Sequence, residues 1–371
     1  MKKMTVLIST LALVLSMTAT GFAADTIKLG VAGPHSGDLA PYGIPAMKAA
    51  QLVVKKINAQ GGVLGKQVEL LIQDDQCKPE IATNTATKLV TDGADVVLGH
   101  ICSGATKAAL GIYRDAKIPV MSPSATNPPL TQSGDYPNFF RTIASDDMQA
   151  KMAVDFAINK LGVKKVAVLH DKGDYGKGFA DFAKKYLEES GKVEVVLFEG
   201  ITPGAMDYSS IVQKIRKYKA EALIFGGYHP EASKLVSQMS RKRLKTVFIS
   251  DDGVKDNSFI KVAGDAANGT YMTGPRDLSS NTINAAATAE FKAEYGEEPG
   301  AFFQEGYSAA LALLNAIEKA GSTDYEAVTN ALRTEYVETP VGNIKFDSKG
   351  DAEGVGFSVY TVENGAFKEL K

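Results

Sequence analysis

The stretch from Val96 to Thr126 constrains this chain more than any other, because it contains two copies of one structural event. In each, an apolar run of strand length breaks into small hydroxyl-bearing residues and then into a helical pattern. Val96, Val97, Leu98 and Gly99 lead into His100, Ile101, Cys102, Ser103 and Gly104, followed by the helical run Ala105 to Ala116. Ile118, Pro119, Val120 and Met121 lead into Ser122, Pro123, Ser124, Ala125 and Thr126. A buried parallel strand that ends before a helix in this way leaves the N–H groups of the first turn unpaired and partly positive. Such a turn is a ready site for an anion. Ser103 and Thr126 can add hydroxyls, and Ser122 or Ser124 backbone carbonyls, so the two turns together can hold both ends of a small zwitterion. The competing reading is that Ser103 and Thr126 cap helices, a common use of both residue types.

The rest of the chain continues the alternation of strand and helix. Strands are expected at Thr26 to Ala32, Gln67 to Gln73 and Val96 to Gly99, with helices at Ala46 to Ala59 and Pro79 to Val90 between them. A loop rich in Pro, Asn and Ser runs from Pro123 to Asn138. Strands then follow at Lys165 to His170, Val193 to Phe198, Ala222 to Phe225 and Thr246 to Ser250, separated by helices at Phe179 to Ser190, Ser209 to Tyr218 and Glu231 to Arg241. Beyond Pro275 the pattern gives helices at Thr288 to Tyr295 and Phe302 to Ala320, then strands at Gly342 to Phe346 and Gly356 to Val362. Alternation of this kind builds βαβ units, hence mainly parallel sheets with helices on both faces. At 371 residues the chain exceeds one ordinary core. The expected fold class is therefore α/β with two lobes, each a mainly parallel sheet flanked by helices, and any ligand in the cleft at the strand ends.

Lys and Arg number 41 against 43 Asp and Glu, a formal net charge of −2, so the chain lacks the electrostatic footprint of a nucleic-acid binder. Lys2 and Lys3 precede the apolar run Val6 to Leu15 and the small-residue stretch Ala19 to Ala24, which reads as a secretory signal peptide over residues 1–23. Cleavage is expected after Ala23, and no cysteine near that point suggests a lipid anchor. The chain has two cysteines, Cys77 and Cys102. In an exported protein two cysteines tend to pair, and closing a loop of about 25 residues restricts the unfolded chain by roughly 3.5 kcal/mol in the loop-entropy picture. The alternative is a pair of buried free thiols.

Three polar loops of the second half stand at strand ends: His170 to Gly176, Tyr228 to Glu231, and the segment carrying Asp252 after Ser250. Together they point at one cleft. Enzyme signatures fail by comparison. Gly306, Tyr307, Ser308, Ala309 and Ala310 approach a nucleophile elbow but lack the second glycine and lie inside a helical run. His35, His100, His170 and His229 are dispersed without ligand spacing, so no metal is expected. Gly30, Gly33 and Gly37 lack dinucleotide-fingerprint spacing, and no phosphate loop occurs, so no cofactor is expected.

A series of separated matches gives the chain a family resemblance. They are Asp74 to Cys77, Gly99 to Ser103, Pro123 to Thr126, Asp171 and Lys172 with Tyr175 and Gly176, Gly226 to Glu231, Gly300 to Phe302, and Phe346 and Asp347 with Lys349 to Asp351. In this order they resemble the leucine/isoleucine/valine-binding proteins of bacterial branched-chain amino-acid ABC importers, across nearly the whole mature chain. The resemblance implies the type I periplasmic binding protein fold, with an N-terminal lobe of residues 24–143 and 275–353 and a C-terminal lobe of residues 144–274 and 354–371. It implies a periplasmic, monomeric protein that is not an enzyme, whose partners are a free amino acid and a membrane permease.

Site residues follow from the same resemblance. Ser103 binds the ligand carboxylate by hydroxyl and N–H, and Thr126 gives its N–H to the carboxylate and its hydroxyl to the ammonium. Ser124 offers a carbonyl to the ammonium, with Ala125 beside it, and Asp252 neutralises the ammonium. Tyr175 and Tyr228 close from the second lobe. Tyr42, Ile101, Cys102 and Phe302 form the apolar pocket, and Cys77 and Cys102 match the family disulfide. The chain departs from the pattern at Asp252, where the family carries glutamate, and after Phe302, where the run Phe303, Gln304, Glu305 is more polar than expected beside an aliphatic pocket. Alternatives are another small ligand on the same fold, such as a polar or aromatic amino acid, an amide or a short peptide, and an exported α/β hydrolase.

Overall fold

The computed structural model describes residues 25–370. The expected signal peptide lies outside these residues. The chain begins with β1 (Ile27–Gly33), α1 (Ala40–Ala59), β2 (Val68–Asp74), α2 (Pro79–Thr91), β3 (Val96–Leu98), α3 (Ser103–Asp115), β4 (Val120–Ser122), α4 (Pro129–Gln132) and β5 (Phe139–Arg141). It continues with α5 (Asp146–Asp155), β6 (Lys165–His170), α6 (Asp174–Ser190), β7 (Glu194–Gly200), α7 (Ser209–Lys217), β8 (Ala222–Gly226), α8 (His229–Arg241), β9 (Val247–Ser250), α9 (Asn257–Ala263) and β10 (Tyr271–Pro275). Last come α10 (Thr282–Tyr295), α11 (Phe303–Ala320), α12 (Tyr325–Thr334), β11 (Val337–Thr339), β12 (Gly342–Ile344), β13 (Phe357–Glu363) and β14 (Ala366–Glu369).

Two sheets organise these elements. The first is all parallel in the order β2-β1-β3-β4-β5. The second, β14-β13-β10-β9-β8-β6-β7, is parallel except where β13 joins β10 and β14 joins β13 antiparallel. Each sheet is covered on both faces, which is why its central strands read as unbroken apolar runs rather than alternating ones. On the first sheet α1, α11 and the inner faces of α10 and α12 bury one side around Val53, Phe291, Phe303 and Leu313. Helices α2 and α3 bury the other around Leu89, Leu110 and Tyr113. On the second sheet α5 and α6 cover one face around Val168 and Phe179, and α7 to α9 the other around Phe225, Leu235 and Phe259. The chain passes between lobes near Thr142 to Ala144, Pro275 to Arg276 and Val355 to Gly356, and these three crossings line one small cavity and so lie side by side.

Several elements were not legible in the periodicity. β5 lies at the end of what reads as a loop, because three residues are too few to show a period; Arg141 within it is fully buried, bonded to Asp351 and to the carbonyls of Ala125 and Asn127. Helix α6 starts at Asp174 rather than Phe179, so Tyr175 sits in its first turn. Helix α10 begins at Thr282, where the Asn281 side chain accepts from the N–H groups of Ile283 and Asn284. Gly306, from the imperfect elbow, proves to be a packing residue: a Cβ there would lie 2.8 Å from Ala46 Cα, so the glycine lets α11 settle against α1. Ser308 donates to the Gln304 carbonyl within the same helix.

Candidate functional site

The two organising turns lie next to each other at the carboxyl ends of β3 and β4. Gly99 turns the chain at φ 130°, where a Cβ would meet the Ala32 carbonyl at 2.1 Å, so only glycine fits. The hydroxyls around the turns mostly brace them. Ser122 Oγ donates to the His100 carbonyl and accepts from Ala125 N–H at 2.9 Å, and its own carbonyl is taken by Thr142 N–H. Ser124 Oγ donates to the Ile101 carbonyl at 2.8 Å. Of the two candidate carbonyls, then, Ser124 is the one free to serve a ligand, since among the described residues nothing donates to it.

Ser103 and Thr126 do not behave as caps. Cys102 holds the cap position of α3, without a side-chain cap bond, and Ser103 Oγ accepts from Asn127 N–H at 3.3 Å. Thr126 Oγ1 is buried beside the Asp146 carboxyl, without a well-formed hydrogen bond among the described residues. Neither the Ser103 nor the Thr126 N–H is bonded among the described residues. Buried donors left this way are costly unless something else satisfies them.

The second lobe supplies the opposite charge. Tyr175 donates its hydroxyl to Asp252 Oδ1 and accepts from Gly253 N–H at 2.9 Å. Asp252 is 2% exposed, and among the described residues its Oδ2 has no hydrogen-bond partner. Tyr42 reaches across from the first lobe to donate to the Gly253 carbonyl at 2.5 Å. Its ring lies 5.9 Å from Tyr228 and 5.8 Å from Phe302, and Tyr175 lies 5.1 Å from Tyr228. Tyr42, Ile101, Cys102, Ser124, Tyr175, Tyr228, Asp252, Gly253 and Phe302 line one narrow cavity between the lobes. Ser103, Ala125 and Thr126, also expected at the site, are buried in the adjoining turns without lining this cavity.

Three residues of the polar end were missed. Asp146 and Gln149, on α5, are fully buried, Asp146 beside the Thr126 hydroxyl and Gln149 beside Asp252, without a well-formed hydrogen bond among the described residues, and Asp251 is fully buried with Oδ2 accepting from Gly227 N–H. Asp146 and Asp251 are held well above the ordinary carboxylate range, first by burial and then by the charge of Asp252. Burial raises Asp252 as well, against the bond from Tyr175 that pulls it down. Three buried carboxyls near one another call for a positive charge. The pair Asp251, Asp252 was visible in the sequence, but its facing was not; α5 carried no signal for Asp146 at all.

The polar run after Phe302 is resolved by its geometry. Phe303 is buried in the first lobe's core. Gln304 and Glu305 face a neighbouring cavity with Lys255 and Arg276, beyond Phe302 and Asp252. Burial holds the Glu305 carboxyl up at about 7. Cys77 and Cys102 are joined in a disulfide with Cα atoms 5.5 Å apart. Among the described residues no cluster of His, Cys, Asp and Glu is arranged to hold a metal, and no helix is long and apolar enough to cross a membrane.

Two α/β lobes with free N–H groups in the turns of one and a buried carboxylate on the other, beside a cavity that both lobes line, define a solute-binding protein. The chain belongs to the periplasmic binding protein family, whose sequence profile matches residues 26–366. It is 40% identical over 350 residues, 93% of each chain, to the leucine-, isoleucine-, valine-, threonine- and alanine-binding protein of Pseudomonas aeruginosa. Among solved structures it resembles the leucine-binding protein LivK of Thermotoga maritima, with a TM-score of 0.86 at 27% identity over 93% of this chain and 98% of that one. It also resembles the branched-chain amino-acid transporter substrate-binding protein LivJ of Streptococcus pneumoniae in complex with isoleucine, with a TM-score of 0.83 at 31% identity over 92% and 98%. These relatives have the two-lobed type I fold and are transport proteins rather than enzymes.

Proposed function

We propose that this protein captures a branched-chain amino acid, leucine, isoleucine or valine, in the periplasm, closes over it and delivers it to the membrane permease of an ABC importer. The observation that carries the reading is the pairing of unbonded Ser103 and Thr126 N–H groups, in the turns beside a small cavity, with the unpartnered Oδ2 of Asp252, which lines that cavity from the second lobe with Tyr42, Ile101, Cys102, Tyr228 and Phe302. The carboxylate sits at Ser103 and Thr126. The ammonium sits between Ser124, Thr126 and Asp252, with Asp146 supplying acceptors that compensate for the shorter acid at position 252. Tyr175 and Tyr228 close from the second lobe, with Ala125 shaping the floor. The moving bodies are residues 24–143 with 275–353 and residues 144–274 with 354–371. The protein is exported by the segment 1–23, works as a monomer, and returns its ligand unchanged.

Calorimetric titration of Leu, Ile, Val, Thr, Ala and a deaminated leucine analogue tests the reading. Each buried methylene contributes about 0.8 kcal/mol, so the three branched ligands should bind within one or two orders of magnitude of each other and Ala more weakly. Equal binding of the deaminated analogue, or Ala binding as well as Leu, would overturn it.

A further inference from the structure

The two lobes also meet at the outer mouth of the cleft, away from the enclosed cavity. Asn127 is the residue after Thr126 and is 8% exposed. Its N–H donates to Ser103 Oγ at 3.3 Å, and its side-chain Nδ2 crosses to the second lobe to donate to the Asp174 carbonyl at 2.6 Å. Asp174 opens α6, and the next residue is Tyr175, whose hydroxyl holds Asp252. A continuous bonded path therefore runs from Ser103 through Asn127, Asp174 and Tyr175 to Asp252, around the outside of the cavity. The approach is tight at Gly178 and of ordinary contact distance at Gly104. A Cβ on Gly178 of α6 would lie 3.2 Å from Asn127 Nδ2, and one on Gly104 of α3 would lie 3.5 Å from Asp174 Oδ2. On the first lobe the Asn127 backbone is held by buried Arg141, which donates to its carbonyl at 3.1 Å.

We infer that Asn127 is a positioning residue that latches the closed cleft: it touches no ligand, yet ties the carboxylate turn of one lobe to the helix that carries Tyr175 on the other. The inference rests on the proposed capture of an amino acid between the lobes. The bond to Asp174 exists only when the lobes are together, so it adds to the affinity for every ligand by the same factor and acts mainly on escape. The neighbouring ion pair of Lys107 with Asp174, at 2.7 Å, spans the same seam but is exposed and contributes little.

The test compares Asn127→Ala, Gly178→Ala and Lys107→Ala with the unaltered protein, by titration and stopped-flow release of Leu, Ile, Val and Ala and by thermal unfolding without ligand. Loss of one partly buried hydrogen bond predicts about a tenfold rise in Kd for Asn127→Ala, equal across the ligands and expressed in the release rate. Gly178→Ala is the sharper variant. Alanine is the better helix former, so the empty protein should unfold at an equal or higher temperature, while its Cβ presses on Asn127 and weakens binding of all four ligands alike. Lys107→Ala should change Kd by less than about threefold. Unchanged affinity in both Asn127→Ala and Gly178→Ala overturns the latch, as does a loss that differs between ligands, which would mean that the pocket itself had been reshaped. If Asn127→Ala lowers the stability of the empty protein, Gly178→Ala decides alone. Failure of the unaltered protein to bind any of the four amino acids would instead reject the proposed function.

Discussion

Replacing Asp252 by Asn separates what this side chain does for the ligand from what it does for the fold. The two residues have the same shape, so Tyr175 can still donate to an oxygen at position 252 and the cavity wall is kept. What changes is the atom facing the ligand: an unpartnered carboxylate oxygen becomes an amide that either accepts weakly or presents N–H groups to an ammonium. Removing one partner of a buried charge pair costs about 3–5 kcal/mol. Asp146 stands near enough to feel the charge of Asp252 and offers two unpartnered oxygens, which places the expected loss at the lower end. About 3 kcal/mol corresponds to roughly a hundredfold or more in Kd for leucine. The empty protein should respond in the opposite direction. There the charge of Asp252 raises the buried carboxyls of Asp146 and Asp251, so neutralising it relieves repulsion and leaves the unfolding temperature unchanged or higher. A deaminated leucine analogue, lacking the ammonium, should lose far less affinity on the same substitution. Calorimetry on both ligands with thermal unfolding of the empty variant measures all three quantities. Leucine affinity within threefold of the unaltered protein, or an equal loss for both ligands, would refute the ammonium role.

The remaining predictions concern the carboxylate turn, protons and the disulfide. Ser103→Ala removes a buried hydroxyl at the carboxylate position, and affinity should fall roughly ten- to a hundredfold, since a hydrogen bond to a charged group contributes about 1.5–3 kcal/mol; unchanged affinity in a titration would reject the role. Because Asp146, Asp251 and Asp252 are all raised in the empty protein and an ammonium favours their ionised forms, binding should release protons. Affinity for leucine should therefore weaken as the pH is lowered below neutral, and titrations in buffers of different ionisation enthalpy that detect no proton release would contradict this. Glu305 has a folded pKa of about 7, above its unfolded value, so its contribution to stability is fully present below the unfolded pKa and is lost as pH rises through about 7. Glu305→Gln should accordingly match the unaltered protein near pH 4 and unfold at a higher temperature at pH 8, a difference absent if the carboxyl is ordinary. Reduction of the Cys77 to Cys102 bridge should lower stability by roughly 3.5 kcal/mol in the loop-entropy picture, read as a drop in denaturant midpoint.

The sequence by itself determined the features that depend on neighbours along the chain. The alternation of apolar runs with helical patterns dictated parallel sheets in two lobes, because a strand and the helix after it must each bury one face and can do so only against one another. The same local logic marked the turns at Ser103 and Thr126, since a strand that ends in small residues before a helix exposes N–H groups wherever it occurs. Tertiary structure alone decided what those groups face. Asp146 and Gln149 carry no local signal and matter because α5 begins where the chain crosses between lobes, beside Asp252. Asn127 reads as one residue of a polar loop until Asp174 of the other lobe is brought to 2.6 Å from it. Tyr42 falls before the helix expected at Ala46 to Ala59 and enters only through the family resemblance, as an apolar wall; that its hydroxyl meets the Gly253 carbonyl is decided by the tertiary structure. Such contacts are set by how three crossing segments hold two separately packed bodies against each other, and a rigid-body placement of that kind leaves no periodicity in the residues that it joins.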